Sequence, residues 1–273
     1  MQTIIITGAS SGIGRATALY FYERGWNVIA TMRQPEKSDL PKLDRLHCFK
    51  LDVNDQQTID TTIQQTIEAF GTIDVLVNNA GFGTVGAFEY ASEEQVLQQF
   101  QTNVFGLMRL TRSVLPHLRQ RRQGIIINVS SVGGRITFPF YSLYHSTKWA
   151  IEGFSESLQY ELAPFGIKVR LIEPGAIKTD FYHRSQMLLV RPDLKVYDDY
   201  QTKVLNNVAE VEKNAPPPQI VAQTIFQAAN DKTDRLRYSV GDQVPLLLLL
   251  NRLLPHSWFR NIISNILEKD SLA

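Results

Sequence analysis

The stretch Thr7-Gly8-Ala9-Ser10-Ser11-Gly12-Ile13-Gly14 follows directly on the apolar segment 3–6. The apolar segment predicts a strand, and the pattern from Arg15 to Arg24, closed by Gly25, predicts a helix. Glycines between a strand and a helix let the backbone approach a pyrophosphate closely, and the helix N-terminus offers it free N–H groups. The stretch therefore predicts a dinucleotide-binding turn. The alternative is a turn that only connects two elements, which predicts nothing further along the chain.

Strand and helix patterns alternate through the rest of the chain. Strands are predicted at 27–31, 47–53, 73–77, 124–129, 167–172 and 236–240, and helices at 59–70, 93–122, 142–163 and 219–229. This alternation predicts an α/β fold: one Rossmann-type, doubly wound parallel sheet of about seven strands with helices on both faces.

Two segments depart from the alternation within this single predicted domain, 1–273. Residues 176–218 are polar and charged, and they predict a long irregular segment that acts as a substrate lid. Residues 243–273 carry apolar side chains at helical spacing and predict a C-terminal helical extension.

The composition excludes several classes of function. A net charge of +1 argues against a nucleic-acid-binding surface. The five histidines show no metal-ligand spacing and there is one cysteine, Cys48, so no metal is expected. No apolar run reaches the ~20 residues that a membrane-spanning helix needs. No signal peptide precedes the first predicted strand, and we therefore expect a cytoplasmic protein.

Tyr144 and Lys148 lie four residues apart in a predicted helix, on one face and one turn from each other. An ammonium group beside a phenol stabilises the phenolate, so we expect Lys148 to lower the pKa of Tyr144 from its usual ~10. Such a phenol is a useful general acid or base. Taken alone, the pair could equally lie on a helix surface.

Other motifs recur in a fixed order around this pair. Ser131 follows the strand 124–129, Asn103 lies in the helix 93–122, and Asn78-Asn79-Ala80-Gly81 follows the strand 73–77. Together with the glycine turn, they resemble the short-chain dehydrogenase/reductase family over roughly residues 3–180.

The resemblance implies a catalytic tetrad of Asn103, Ser131, Tyr144 and Lys148. Tyr144 would move the proton and Ser131 would bind the reacting oxygen. Lys148 would bind the nicotinamide ribose, and Asn103 would hold a water that connects the lysine to solvent.

The resemblance also implies a set of cofactor contacts. They are Thr7, Gly8, Ser10, Ser11, Gly12, Ile13, Gly14, Arg33, Asp52, Val53, Asn79, Ala80, Gly81, Tyr144, Lys148, Pro174, Gly175, Ile177 and Thr179. Many members of the family have asparagine where this chain has Glu173, and a carboxylate at that position requires a partner.

The end of the strand 27–31 predicts which nicotinamide cofactor binds. An acidic residue there would accept a hydrogen bond from the ribose 2′-hydroxyl of NAD. This chain has Met32 followed by Arg33, and a guanidinium is suited to a 2′-phosphate. We therefore expect NADP(H), although the basic residue that some NADP-using relatives have at the Ser11 position is absent.

The substrate site is expected to contain Ser131, Tyr144 and Phe138, with Val85, Phe88, Phe140 and Leu143 at its border. These apolar residues predict a lipophilic alcohol or carbonyl compound, as in relatives that act on steroids, retinoids or lipids. Two alternatives remain open: a small polar carbonyl or ketoacyl thioester as substrate, and a catalytically idle nucleotide-binding sensor or scaffold.

Two interactions with larger partners are predicted. Apolar stripes on the helices 93–122 and 142–163 indicate a homodimer or homotetramer, since family members commonly pair these helices. The C-terminal segment carries apolar residues from Leu246 to Leu267, interspersed with Arg252 and Arg260. It is predicted to be part of the core or of an interface, or alternatively an amphipathic flap in peripheral contact with a membrane.

Overall fold

A seven-stranded parallel sheet forms the centre of the computed structural model, which describes residues 1–179 and 185–268. Its strands are β1 (Thr3–Ile6), β2 (Asn27–Met32), β3 (Leu46–Lys50), β4 (Val75–Asn78), β6 (Gly124–Val129), β7 (Ile167–Pro174) and β9 (Arg237–Val240). They lie in the order β3-β2-β1-β4-β6-β7-β9. The predicted Rossmann-type sheet is confirmed. Two short strands, β5 (Gly83–Val85) and β8 (Gln186–Leu188), pair in parallel outside it.

Helices cover both faces of this sheet. They are α1 (Gly12–Tyr22), α2 (Gln56–Phe70), α3 (Glu93–Phe100), α4 (Leu107–Arg121), α5 (Ser142–Leu162), α6 (Asp198–Lys213), α7 (Gln219–Asn230), α8 (Val244–Leu253) and α9 (His256–Leu267). Ile4 and Ile6 pack in the core under α1 and α7, whereas Ile5 packs in the core under α2, α4 and α5. Successive side chains of a strand point to opposite faces, so a strand buried on both faces is apolar throughout.

The strand order reverses at β1, which lies between β2 and β4. The chain runs outward from β1 to β3 on one side and then returns to β4 on the other side. In sheets of this type, the connections diverge there and leave a crevice beyond the carboxyl ends of the strands. The glycine turn follows β1 and the Asn79 segment follows β4, so both lie at this crevice.

The prediction of a single helix over residues 93–122 is wrong in one respect. Residues Gln101–Gly106 form a π-helical segment between α3 and α4. Within it, Asn103 and Gly106 are buried. A Cβ atom on Gly106 would lie 2.6 Å from Val53, so this segment packs closely against the loop after β3. π-helical turns are often found at functional sites because they redirect a side chain within a helix.

The prediction of an irregular segment over 176–218 is also wrong in part. Helix α6 occupies much of it, and β8 pairs with β5. Only Gln201 and Val204 of α6 are buried, so its apolar stripe is too narrow to stand out among the charged residues. Residues 180–184 of this segment and residues 269–273 of the predicted C-terminal extension lie outside the described residues.

Candidate active site

Backbone geometry explains the glycines of the turn after β1. Gly8 and Gly12 have φ values of +64° and +52°, a region that strongly favours glycine. A Cβ atom on Gly14 would lie 2.3 Å from the carbonyl oxygen of Gly8 and 2.7 Å from Nδ2 of Asn79. Helix α1 therefore approaches β1 and the Asn79 segment so closely that no side chain fits between them.

Hydrogen bonds join this turn to the segment after β4. The Thr7 hydroxyl accepts from the backbone N–H groups of Asn79 and Ala80, each at 2.9 Å. The Asn79 side chain donates to the carbonyl oxygen of Thr7 at 2.8 Å. Gly81 lies next to Asn103, whose Oδ1 would be 3.1 Å from a Cβ atom at that position. The glycine turn and the segment after β4 thus form one rigid unit.

The turn fits a phosphate-bearing dinucleotide. Ser11 is the N-cap of α1 and makes no side-chain capping hydrogen bond, so the N–H groups of the first turn are available to an anion. Ser10 is exposed, and Ser11, Gly12 and Ile13 are half-buried at the same edge. Thr179 lies across the turn, 3.4 Å from the position of a Cβ on Gly12.

The residues expected around the adenosine follow β2 and β3. Val53 is buried and Asp52 is half-buried, with an Asp52 carboxylate oxygen accepting from the Asn54 N–H at 2.9 Å. Arg33 is exposed and makes no hydrogen bond or ion pair with any residue that the structure describes. Its guanidinium is therefore available to a ligand at the end of β2.

Tyr144 and Ser131 are hydrogen-bonded to each other, although they come from different elements. Tyr144 lies in the first turn of α5, and Ser131 follows β6. The Ser131 hydroxyl also lies 3.4 Å from the carbonyl oxygen of Pro174 and accepts from the Gly133 N–H at 3.0 Å. These contacts fix the serine beside the phenol.

The pKa of Tyr144 moves in the opposite direction from the sequence-based expectation. Burial raises it to about 12, and the hydrogen bond with Ser131 offsets part of the rise. The Lys148 ammonium lies 5.6 Å from the centre of the Tyr144 ring and donates to the carbonyl oxygen of Val129 at 2.8 Å. Desolvation of the phenolate therefore outweighs the nearby cation.

Lys148 is itself buried, and burial lowers its pKa to about 8. The Glu152 carboxylate, one turn further along α5, acts in the opposite direction because it favours the charged ammonium. Among the described residues, Lys148 donates one hydrogen bond, to Val129. With a pKa of about 8, its amine remains largely protonated at neutral pH.

Asn103 holds the π-helical segment against the site. Its Nδ2 donates to the carbonyl oxygen of Phe82 at 2.8 Å and to the Thr147 hydroxyl at 3.2 Å, while its Oδ1 accepts from the Phe82 N–H at 3.0 Å. Thr147 directly precedes Lys148, so these bonds connect the predicted asparagine to the lysine-bearing turn of α5. No sequence motif marks Thr147 as a contact of Asn103.

The segment after β7 completes the site. The Gly175 N–H donates to the carbonyl oxygen of Val240 at 2.9 Å, and a Cβ atom on Gly175 would lie 2.6 Å from Val244. Ile177 is buried, and the Thr179 hydroxyl lies 3.5 Å from its carbonyl oxygen. The first residue of α8 therefore packs directly on the predicted nicotinamide segment.

Apolar side chains lie next to Ser131 and Tyr144. Phe138 packs with the buried residues of α8 and α9, and Phe140 joins that cluster to a second one around Leu143. Val85 is buried and Phe88 is 61% exposed, and the position of Phe88 at the border of the pocket stays a prediction.

Phe140 also has a φ of +66°, which is unusual for a bulky residue. Its carbonyl oxygen accepts from the Gly86 N–H at 2.8 Å, and its ring packs edge-on against Tyr200 of α6. These contacts hold the backbone in this conformation. No sequence signal distinguishes such a phenylalanine from an ordinary core residue.

Glu173 has the partners that its position requires. Its carboxylate is 1% exposed and lies 3.1 Å from Arg135 and 3.4 Å from Arg237. It also accepts from the Ser239 hydroxyl at 2.8 Å. The network continues through Arg237, whose Nε lies 2.9 Å from a carboxylate oxygen of Glu152. The carboxylate is thus stabilised by two arginines, and the network connects it to the lysine-bearing helix.

A family comparison agrees with this geometry. The model of the short chain dehydrogenase family matches residues 2–187. The chain belongs to that family.

Curated relatives match along nearly the whole chain. The uncharacterized oxidoreductase YusZ of Bacillus subtilis (strain 168) is 42% identical, covering 95% of this chain and 96% of the relative. A 3-ketodihydrosphingosine reductase of Bacteroides thetaiotaomicron is 36% identical, covering 90% of each.

Solved structures share the fold. A short-chain dehydrogenase from Streptomyces avermitilis superposes with a TM-score of 0.81 at 35% identity, covering 97% of this chain and 95% of that one. ElxO with NADP bound superposes with a TM-score of 0.74 at 25% identity, covering 90% and 99%.

The Glu173 network leads to a stability prediction. Glu173→Leu should lower the free energy of unfolding by about 2–3 kcal/mol, because, among the described residues, Arg135 loses its ion pair and Arg237 keeps only Glu152 and Glu156. The partial exposure of both arginines to solvent reduces the cost. Urea unfolding followed by tryptophan fluorescence measures the change.

The matched control is Asp193→Leu, which breaks the exposed pair of Arg191 and Asp193, 3.3 Å apart. It should change the free energy of unfolding by less than about 1 kcal/mol. If both substitutions changed it equally little, the network would not stabilise the fold.

Proposed function

We propose that this protein is an NADP(H)-dependent oxidoreductase that interconverts a lipophilic alcohol and its ketone or aldehyde. The observation that carries the proposal is the half-buried, hydrogen-bonded pair of Tyr144 and Ser131, with the buried Lys148 ammonium one helical turn away. When bound, the reduced nicotinamide supplies a hydride to the carbonyl carbon.

The proposed roles of the chain's own residues follow from their chemistry. The Ser131 hydroxyl donates a hydrogen bond to the substrate oxygen and orients it toward Tyr144. The Tyr144 hydroxyl gives its proton to that oxygen in reduction and takes it back in oxidation. Lys148 holds the cofactor ribose, and the hydrogen bonds of Asn103 keep the lysine-bearing turn in place.

The Tyr144 phenol is in the form that reduction requires at neutral pH. With a pKa of about 12, the phenol is protonated and ready to donate. Oxidation requires the deprotonated form, so its rate should rise with pH in the alkaline range. The relative in Bacteroides thetaiotaomicron is also named as a reductase of a keto compound.

Two apolar clusters support a lipophilic substrate over a small polar one. Phe138 and Phe140 belong to the cluster formed with α8 and α9, while Leu143 and Leu189 belong to the neighbouring cluster. Both adjoin the loop and helix that carry Ser131 and Tyr144. The sphingoid compound in the name of the Bacteroides thetaiotaomicron relative is consistent with this class.

The first test replaces the proton donor. Tyr144→Phe should reduce turnover of a panel of lipophilic ketones by at least about 100-fold, because general acid catalysis typically contributes that much or more. The affinity for NADPH, measured by fluorescence titration, should remain nearly unchanged.

Tyr141→Phe is the matched control, because Tyr141 lies three residues earlier, at the N-cap of α5, and no lysine follows it at four residues. It should retain most of the activity. Near-wild-type turnover by Tyr144→Phe would refute the assignment, and a protein that binds NADPH but turns over no carbonyl compound would be the idle sensor.

Arg33 supports NADP(H) over NAD(H). It is exposed and unpaired among the described residues at the end of β2, where the adenosine ribose is expected. Its guanidinium can bind a 2′-phosphate bidentately. Arg33→Ala should weaken NADPH binding by ~1.5–3 kcal/mol, the range of a hydrogen bond to a charged group, and leave NADH binding nearly unchanged.

Isothermal titration with both cofactors measures this difference. Arg112→Ala, an exposed arginine on α4, is the control and should affect neither cofactor. Equal losses for NADPH and NADH, or a preference of the unmodified protein for NADH, would contradict the assignment of Arg33.

We also propose self-association through α4 and α5. Phe105, in the π-helical segment before α4, and Trp149, on α5, are large apolar side chains that remain exposed. Exposed apolar groups on adjacent helices favour an interface between copies. Phe105→Glu with Trp149→Glu should shift the protein toward a monomer in sedimentation velocity, because it places carboxylates in the interface.

The control for this shift is Trp258→Glu, which alters an exposed tryptophan on α9 and should leave the sedimentation coefficient unchanged. A monomer already present in the unmodified protein at micromolar concentration would refute the interface.

A further inference from the structure

The two C-terminal helices have an apolar outer surface in addition to their apolar inner face. The inner face is formed by Val244, Phe259, Ile263 and Leu267, which are buried against the core beside Phe138. On the outside, Leu246, Leu249, Leu253 and Trp258 are 60%, 51%, 69% and 64% exposed. We call these four residues the C-terminal apolar surface. None of the described helices is long and apolar enough to cross a membrane.

The charged side chains within α8 and α9 have one sign, and the carboxylates nearest in the sequence, Asp242 and Glu268, lie just outside the two helices. Residues 243–267 contain no aspartate or glutamate, although the whole chain has 27. Arg252 and Arg260 are exposed and make no hydrogen bond or ion pair with the described part of the chain. Two exposed cations are thus carried by the same two helices as the exposed leucines and the tryptophan.

We propose that the C-terminal apolar surface binds the face of an anionic lipid bilayer. Leucine side chains can enter the boundary between headgroups and acyl chains, and tryptophan is favoured at that depth. Arg252 and Arg260 then meet the anionic headgroups.

A second copy of the chain fits this surface less well than a bilayer does. A symmetric dimer through α8 and α9 would bring the same residues of both copies together, including Arg252 and Arg260. Neither helix contains a carboxylate to pair with these arginines, and the Glu268 carboxylate after α9 already accepts from the Tyr200 and Ser264 hydroxyls, each at 2.8 Å. An anionic bilayer supplies the missing negative charge.

The position of the C-terminal apolar surface gives bilayer binding a role in substrate access, and this role rests on the function proposed above. The inner faces of α8 and α9 cover the apolar residues beside Ser131, and Val244 packs on Gly175. A bilayer on the outer faces would therefore lie close to the substrate pocket. A lipophilic substrate could then reach the pocket without crossing water.

Vesicle co-sedimentation of the full-length protein tests the proposal and requires no turnover. The protein should pellet with vesicles of phosphatidylcholine containing about one-third phosphatidylserine, and much less with phosphatidylcholine alone. Arg252→Gln with Arg260→Gln should weaken binding to the anionic vesicles roughly 30-fold, and added salt should reduce binding by the unmodified protein.

Lys37→Gln with Lys42→Gln removes two exposed cations between β2 and β3, away from α4, α5 and the C-terminal helices, and is the matched control, which should bind as the unmodified protein does. Leu246→Ser with Leu249→Ser and Trp258→Ser should abolish binding while leaving the circular dichroism spectrum unchanged, because these side chains face outward.

Three results would overturn the proposal. The unmodified protein could remain in the supernatant with anionic vesicles. The Lys37 and Lys42 control could lose binding as much as the Arg252 and Arg260 variant does. The serine variant could change the sedimentation coefficient of the lipid-free protein instead of its vesicle binding, which would identify a second copy as the occupant. A failed ketone reduction with intact vesicle binding would refute only the proposed function.

Discussion

The close approach of the glycine turn to the segment after β4 is the constraint on which the rest of the site depends. Helix α1 lies so close to the Gly8 carbonyl and Asn79 that no side chain fits at position 14. The Thr7 hydroxyl accepts hydrogen bonds from the backbone N–H groups of both Asn79 and Ala80. This contact holds together the two sides of the crevice where the strand order reverses. A cofactor can lie there because the backbone itself forms the wall and its N–H groups remain available.

Burial determines the electrostatics on the other side of the crevice. It raises the pKa of Tyr144 and lowers that of Lys148, so each group is shifted toward its neutral form. The same low-polarity surroundings would make Glu173 costly if it were alone. Arg135 and Arg237 supply the compensating charge. Arg237 also forms an ion pair with Glu152, on the helix that carries Lys148.

The C-terminal helices connect this chemistry to the surface of the molecule. Their inner residues extend the apolar core beyond the sheet and cover the residues beside Ser131, while Leu246 and Trp258 remain exposed on the outside. Pro255 separates α8 from α9, because a proline after a helix cannot continue the pattern of backbone hydrogen bonds. Each helix can therefore pack one face inward independently.

Local sequence patterns were enough to predict the strand, turn and helix at the start of the chain, the seven strands of the sheet and the family of the protein. Continuous apolar runs and the spacing of glycines depend only on residues that are neighbours in the sequence. The tetrad residues could be named from the same motifs, and their roles remain predictions. Long-range packing decided the rest. It placed a π-helical segment at Asn103, gave Phe140 a positive φ, formed α6 within the polar segment and supplied two arginines to Glu173. It also reversed the expected pKa shift of Tyr144, since desolvation depends on everything that surrounds the phenol and not only on the lysine four residues away.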